Sequence, residues 1–118
     1  MEMKPIKPVH HGIIDYGYAA VQLAAPTVLG LNKKTVKLHQ LLGLKVLGLN
    51  ALTDSPTGLK PIVSFEAHQK ADLALIGSMA AMTGLKHIRN KRRSLIFHLT
   101  MVGLAAAHYL LTDYSSGR

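Results

Sequence analysis

The sequence predicts an all-α fold: a four-helix transmembrane bundle made of two tandem helical-hairpin repeats. Three observations predict it. Four predominantly apolar segments of about 20 residues follow one another, each long enough to cross the roughly 30 Å hydrocarbon core of a bilayer as a helix. The acids Glu2, Asp15, Asp54, Glu66, Asp72 and Asp113 all fall at one end of such a bundle, and the two strongest basic clusters fall at the other. The second half of the chain also repeats the first.

The first helix is expected from His11 to Leu31, opening after Pro8, a residue suited to a helix start. The second is expected from Thr35 to Thr53. It carries Lys45 in mid-segment with His39, Gln40 and Asn50, and would insert poorly alone, because a central lysine costs about 3 kcal/mol on insertion scales. The third runs from Phe65 to Leu85 and is free of charge only from Leu73 onward. The fourth runs from Ser94, a candidate N-cap, to Thr112 and has no formal charge. No segment alternates polar and apolar residues as a half-buried strand would.

The chain is read as one domain over residues 1–118, with one repeat over about 8–58 and the other over about 65–117. His11-x3-Asp15 recurs as His68-x3-Asp72, and Thr53-Asp54-x3-Gly58 recurs as Thr112-Asp113-x3-Gly117. His39 precedes Thr53 by the same spacing as His98 precedes Thr112, and Leu-Thr-Asp occurs identically at 52–54 and 111–113. Each repeat is a helical hairpin that needs a partner to cover it. Both start on the same side, so their pseudo-axis should lie along the membrane normal.

Composition narrows the partners. The formal net charge is +8, from 14 Lys and Arg against 6 Asp and Glu. That balance calls for an anionic partner. Nucleic-acid binders string basic residues along a polar face with stacking aromatics; here the bases sit in two short bends between apolar runs, and only Tyr and Phe supply a handful of rings. Lipid headgroups are therefore the expected anions, and no nucleic acid is expected. The mean hydropathy of +0.20 is modest for four membrane spans. Without cysteine, disulfides, thiolate metal sites and Cys nucleophiles are excluded. The opening residues lack the parts of a secretory signal.

Topology follows from the bends. Lys33, Lys34, Lys37, Lys86, Arg89, Lys91, Arg92 and Arg93 occupy them with no acid between. The positive-inside rule puts these loops in the cytoplasm and both termini outside. Tyr16, Tyr18, Tyr109 and Tyr114 fall near the outward end, where amphipathic rings suit an interface.

His-Gly-Ile-Ile-Asp-Tyr at 11–16, Ala-Ala-Pro-Thr-Val-Leu-Gly-Leu at 24–31, Leu-Thr-Asp and the second His-x3-Asp together resemble the SPW-repeat group of small bacterial integral membrane proteins. Ala25-Pro26-Thr27 stands where that group has Ser-Pro-Trp, and the second half has Ala81-Met82-Thr83. The resemblance covers nearly the whole chain. It implies four membrane helices in two hairpins and a bacterial inner-membrane location, and it implies no reaction.

Three constellations are candidates for chemistry. His11, Asp15, Asp54, His68, Asp72 and Asp113 form a polar cluster at the outward end, able to hold a divalent metal, pass a proton or simply pair the helices. His39 and His98 occupy equivalent places and are either interfacial, hydrogen-bonded histidines or a candidate pair of haem ligands. Lys33, Lys34, Lys37, Arg89, Lys91, Arg92 and Arg93 are candidates for anionic lipid headgroups. Lys45 either snorkels toward the headgroups or meets an internal partner. The glycines are scattered through helices, so no phosphate loop is present, and no nucleophile–base–orienter set is recognisable.

The expectation is therefore a small integral membrane protein without catalytic activity or cofactor, an accessory or self-associating subunit and a candidate homo-oligomer. The alternatives are a membrane protein that handles protons, ions, metal or haem, and a soluble basic helical bundle.

Overall fold

A computed structural model describes residues 4–116. Glu2, Gly117 and Arg118, which entered the charge and repeat patterns, lie outside the described residues. Among those described there are five α-helices, α1 (Pro8–Val28), α2 (Lys33–Ala51), α3 (Phe65–Met82), α4 (Lys86–Arg89) and α5 (Arg92–Leu111), then a 3-10 turn at Tyr114–Ser116. The all-helical expectation stands at that level. Among the described residues, by length and composition only α5 is apolar enough to cross a membrane, so four equivalent spans are not what the helices individually present.

The ends of the helices follow local chemistry. Pro8 occupies the first turn of α1, where a missing N–H costs nothing. The helix stops short of the predicted Leu31 because Gly30 takes a left-handed φ of 67°. The Leu31 N–H then closes onto the Pro26 carbonyl at 3.0 Å, in the manner of a Schellman cap. Asn32 caps α2 by accepting from the Thr35 N–H at 2.9 Å. Ser64 does the same for α3 through the Ala67 N–H at 3.0 Å.

The run 86–93, read from sequence as a bare basic loop, contains the single turn α4. It pins Ile88, which is fully buried, beneath the charges. α5 begins two residues before Ser94, so Ser94 is not its N-cap. It is buried, and its Oγ accepts instead from the Asn32 side-chain amide at 2.9 Å.

α1 packs along α2, and α3 along α5, giving two antiparallel hairpins. Gly43 lets α1 and α2 approach closely: a Cβ there would lie 3.1 Å from the Ala19 carbonyl oxygen. The two bends lie at one pole. The Asn32 amide donates to the His87 carbonyl at 2.7 Å, and the Arg93 guanidinium donates to the Leu29 carbonyl.

At the other pole two short parallel bridges cross between hairpins, Ile6 with Thr112 and Val63 with Thr53. They are equivalent under the repeat. The Ile6 N–H donates to Leu111 at 3.1 Å and the Val63 N–H to Leu52 at 2.7 Å. The Asp113 N–H returns to Ile6 at 2.8 Å and the Asp54 N–H to Val63 at 2.7 Å. Each hairpin's leading strap thus ties to the closing end of the other hairpin.

The interior is polar and the exterior apolar. Among the described residues twelve polar or charged residues are buried, against nine apolar ones. Nineteen large apolar side chains, such as Ile13, Val28, Leu44, Leu73, Ile96 and Leu110, are exposed. Leu31, Leu42, Met79, Phe97 and Met101 form the apolar core cluster.

Candidate functional site

Each His-x3-Asp lies on one face of its helix, since positions four apart stack on successive turns. α1 and α3 bring the two pairs together. His11 Nε2 is 3.2 Å from Asp15 Oδ2 and 3.1 Å from Asp72 Oδ2. His68 Nε2 is 3.0 Å from Asp15 Oδ2 and 3.3 Å from Asp72 Oδ1. The two Nε2 atoms are 3.3 Å apart. Both imidazoles are 1% exposed and Asp15 is 6% exposed.

Two threonines set the imidazole tautomers. The Thr112 hydroxyl donates to the His108 carbonyl at 2.6 Å, and the Thr53 hydroxyl donates to the Leu49 carbonyl at 2.5 Å. With their protons spent, these hydroxyls accept from His11 Nδ1 and His68 Nδ1, each at 2.7 Å. A neutral imidazole so held turns a lone pair on Nε2 toward the carboxylates. Four lone-pair-bearing groups then face one another in a site nearly closed to water. Such an arrangement is costly unless positive charge sits among them.

An outer layer holds the carboxylates. The Tyr114 hydroxyl donates to Asp72 Oδ2 at 2.8 Å. Burial first, and then the facing Asp72 carboxylate, push the Tyr114 phenol up, so it keeps the proton it donates. His108 Nδ1 lies 3.4 Å from Asp15 Oδ1, and its ring stacks on His11 at 4.0 Å between centroids. A cavity of about 30 Å³, room for a water or two, opens beside His11, Asp15, Asp72 and His108.

Of the six residues expected in this cluster, four converge. Asp54 and Asp113 are not in the four-residue centre. Asp54 lies half-buried in the bend after α2, and Asp113 lies 3.9 Å from Lys7 and accepts from the Ser115 hydroxyl at 2.6 Å. The duplicated Leu-Thr-Asp was a true signal attributed to the wrong residue: its threonine, rather than its aspartate, serves the centre. Tyr114 and His108 were not assigned to it, because each occurs in one repeat only.

Of the two readings of His39 and His98, the hydrogen-bonded pair fits and the haem pair does not. His39 Nε2 and His98 Nδ1 are hydrogen-bonded at 3.0 Å, which leaves no room for a porphyrin between the rings. The outer nitrogens are also engaged. His98 Nε2 donates to the Met79 carbonyl at 2.6 Å. His98 Nδ1 therefore accepts from His39, and His39 Nδ1 accepts from the Gln22 amide at 3.3 Å. This is a closed, directional chain through the middle of the bundle.

Lys33, Lys34, Lys37, Arg89, Lys91, Arg92 and Arg93 are all exposed at the pole of the two bends. Lys45 is exposed on the outer face of α2, which excludes the internal partner. Compared with known protein families, curated proteins and solved structures, the chain matches none.

Proposed function

We propose that the chain is a four-span integral membrane protein without catalytic activity, in which the polar centre joins two hairpins and lipid covers the outside. The observation that carries this is the inverted polarity: polar groups fill the interior while large apolar side chains cover the exterior. In water that exterior would be a liability far beyond the ordinary apolar patch of a monomer. In lipid it is the required surface.

The low apolarity of α1, α2 and α3 agrees with this reading. Six of their polar residues, His11, Asp15, Gln22, His39, Asn50 and His68, are buried within the bundle and dilute the average without facing lipid, while Lys45 stands on the outer face of α2. α5 supports it differently: only 22% of its apolar window is buried, unlike the core helix of a soluble protein. The shared pole of basic bends supports a cytoplasmic placement of Lys33–Lys37 and Lys86–Arg93 by the positive-inside rule. The resemblance to the SPW-repeat group leads to the same location in a bacterial inner membrane. Anionic headgroups at the basic bends, and further copies of the chain in the membrane plane, are the proposed partners.

The absence of cysteine makes the test clean. The protein should stay with membranes through carbonate and high salt. Single cysteines at Lys34 and Lys91 should react with an impermeant thiol reagent only after cell lysis, while one at Leu59 should react in intact cells. Recovery of the protein in the supernatant without detergent would establish the soluble helical bundle instead.

A further inference from the structure

We propose that His11, Asp15, His68 and Asp72 bind one first-row divalent metal ion, of the zinc class, in a tetrahedral site on the pseudo-axis between the hairpins. The inference stands on the geometry of the centre and is independent of whether lipid surrounds the helices.

Four features carry it. The first is the spacing. A tetrahedral site with metal–ligand bonds of about 2.0–2.1 Å has ligand–ligand edges of roughly 3.3 Å. His11 Nε2, His68 Nε2 and Asp15 Oδ2 stand 3.0–3.3 Å from one another, and Asp72 reaches His11 through Oδ2 at 3.1 Å and His68 through Oδ1 at 3.3 Å. All four ligand atoms fall within 4.8 Å of one another. The second is the direction of the ligands. The threonine hydroxyls oblige each imidazole to carry its proton on Nδ1, which leaves Nε2 as the donor atom facing the centre. A hydrogen-bonded outer partner on the far ring nitrogen is the usual support of a metal-ligating histidine.

The third is charge. Two carboxylates and two neutral imidazoles sum to −2, and one divalent cation balances them in a site closed to counter-ions. Filling the centre with protons is less satisfactory: with both imidazoles protonated, two N–H groups would confront each other across 3.3 Å. The fourth is the outer layer, in which the Tyr114 hydroxyl holds Asp72 and His108 Nδ1 stands 3.4 Å from Asp15 Oδ1. A nitrogen–oxygen donor set of four, without sulfur, suits zinc and its neighbours and is too small for calcium or magnesium. Because each hairpin supplies one His and one Asp, the ion would staple the halves together.

The test uses the full-length protein purified in detergent. Metal analysis should find close to one zinc, iron, manganese or cobalt per chain. Chelator-stripped protein should take up one Co²⁺ and develop the strong visible absorption of a tetrahedral site. Asp72→Asn and His68→Ala should abolish uptake. Thr53→Val, which leaves all four ligands in place, should weaken it about 10- to 100-fold. Asp54→Asn and Asp113→Asn, carboxylates at the same pole but outside the centre, should leave stoichiometry unchanged. A wild-type protein that retains no metal and binds no Co²⁺ overturns the proposal. So does a weak octahedral cobalt spectrum, or equal loss on removing Asp54 or Asp113.

Discussion

His39 shows at the scale of one residue how much rests on tautomers. Its two ring nitrogens join Gln22 on one side to His98 on the other, and His98 passes the chain on to the Met79 carbonyl. His39→Ala leaves His98 Nδ1 and the Gln22 amide without partners in a closed interior. Each orphaned group costs about 1–3 kcal/mol. Thermal unfolding in detergent should therefore show a loss of several kcal/mol. His39→Gln, which keeps a donor and an acceptor, should lose less. An equal loss in both would mean that ring packing against Phe97 and His98 is what matters there.

Among the elements, α2 is the one whose cap does two jobs. The Asn32 carbonyl oxygen caps the helix, while its amide group holds His87 and Ser94 of the other hairpin. Ser64 caps α3 with an exposed hydroxyl bond and nothing more. Ser64→Ala should cost about 1 kcal/mol, whereas Asn32→Ala should cost about 2–3 kcal/mol, because two cross-hairpin bonds go with the cap. Comparison of the two melting shifts checks this.

The same elements show what a sequence discloses. Helix interiors and the pairing of His11-x3-Asp15 with His68-x3-Asp72 were legible, because apolar length and four-residue spacing are local properties. The ends were less so. The stop at Val28 depends on the backbone of Gly30, and the early start of α5 depends on Ser94 having a partner across the bundle. α4 was missed because three basic residues hid the single apolar one, Ile88, that gives the turn a reason to form. At His39 and His98 two readings were open: equivalence in the repeat placed the pair together, but only the distance tells a hydrogen bond from a gap that holds a cofactor.

For the whole molecule, the proposed orientation rests on the bends, and the straps give closure. If the basic pole fixes orientation, replacing Lys91, Arg92 and Arg93 by glutamine should leave a mixed population. A cysteine at Lys34 in that background should become partly reactive in intact cells. Unchanged protection would assign orientation to the first bend alone.

The straps carry a further consequence, about descent. A leading segment that docks on the opposite hairpin is the arrangement expected if two copies of one hairpin had exchanged arms before their fusion. In such an ancestor every substitution would have appeared twice, once on each side of the axis. Fusion lifts that restriction. Tyr114 and His108 support the centre from the second half, where the first half has Ser55 and Leu49 at the corresponding places. Those two residues are one-sided changes of a kind that a homodimer of identical chains cannot acquire.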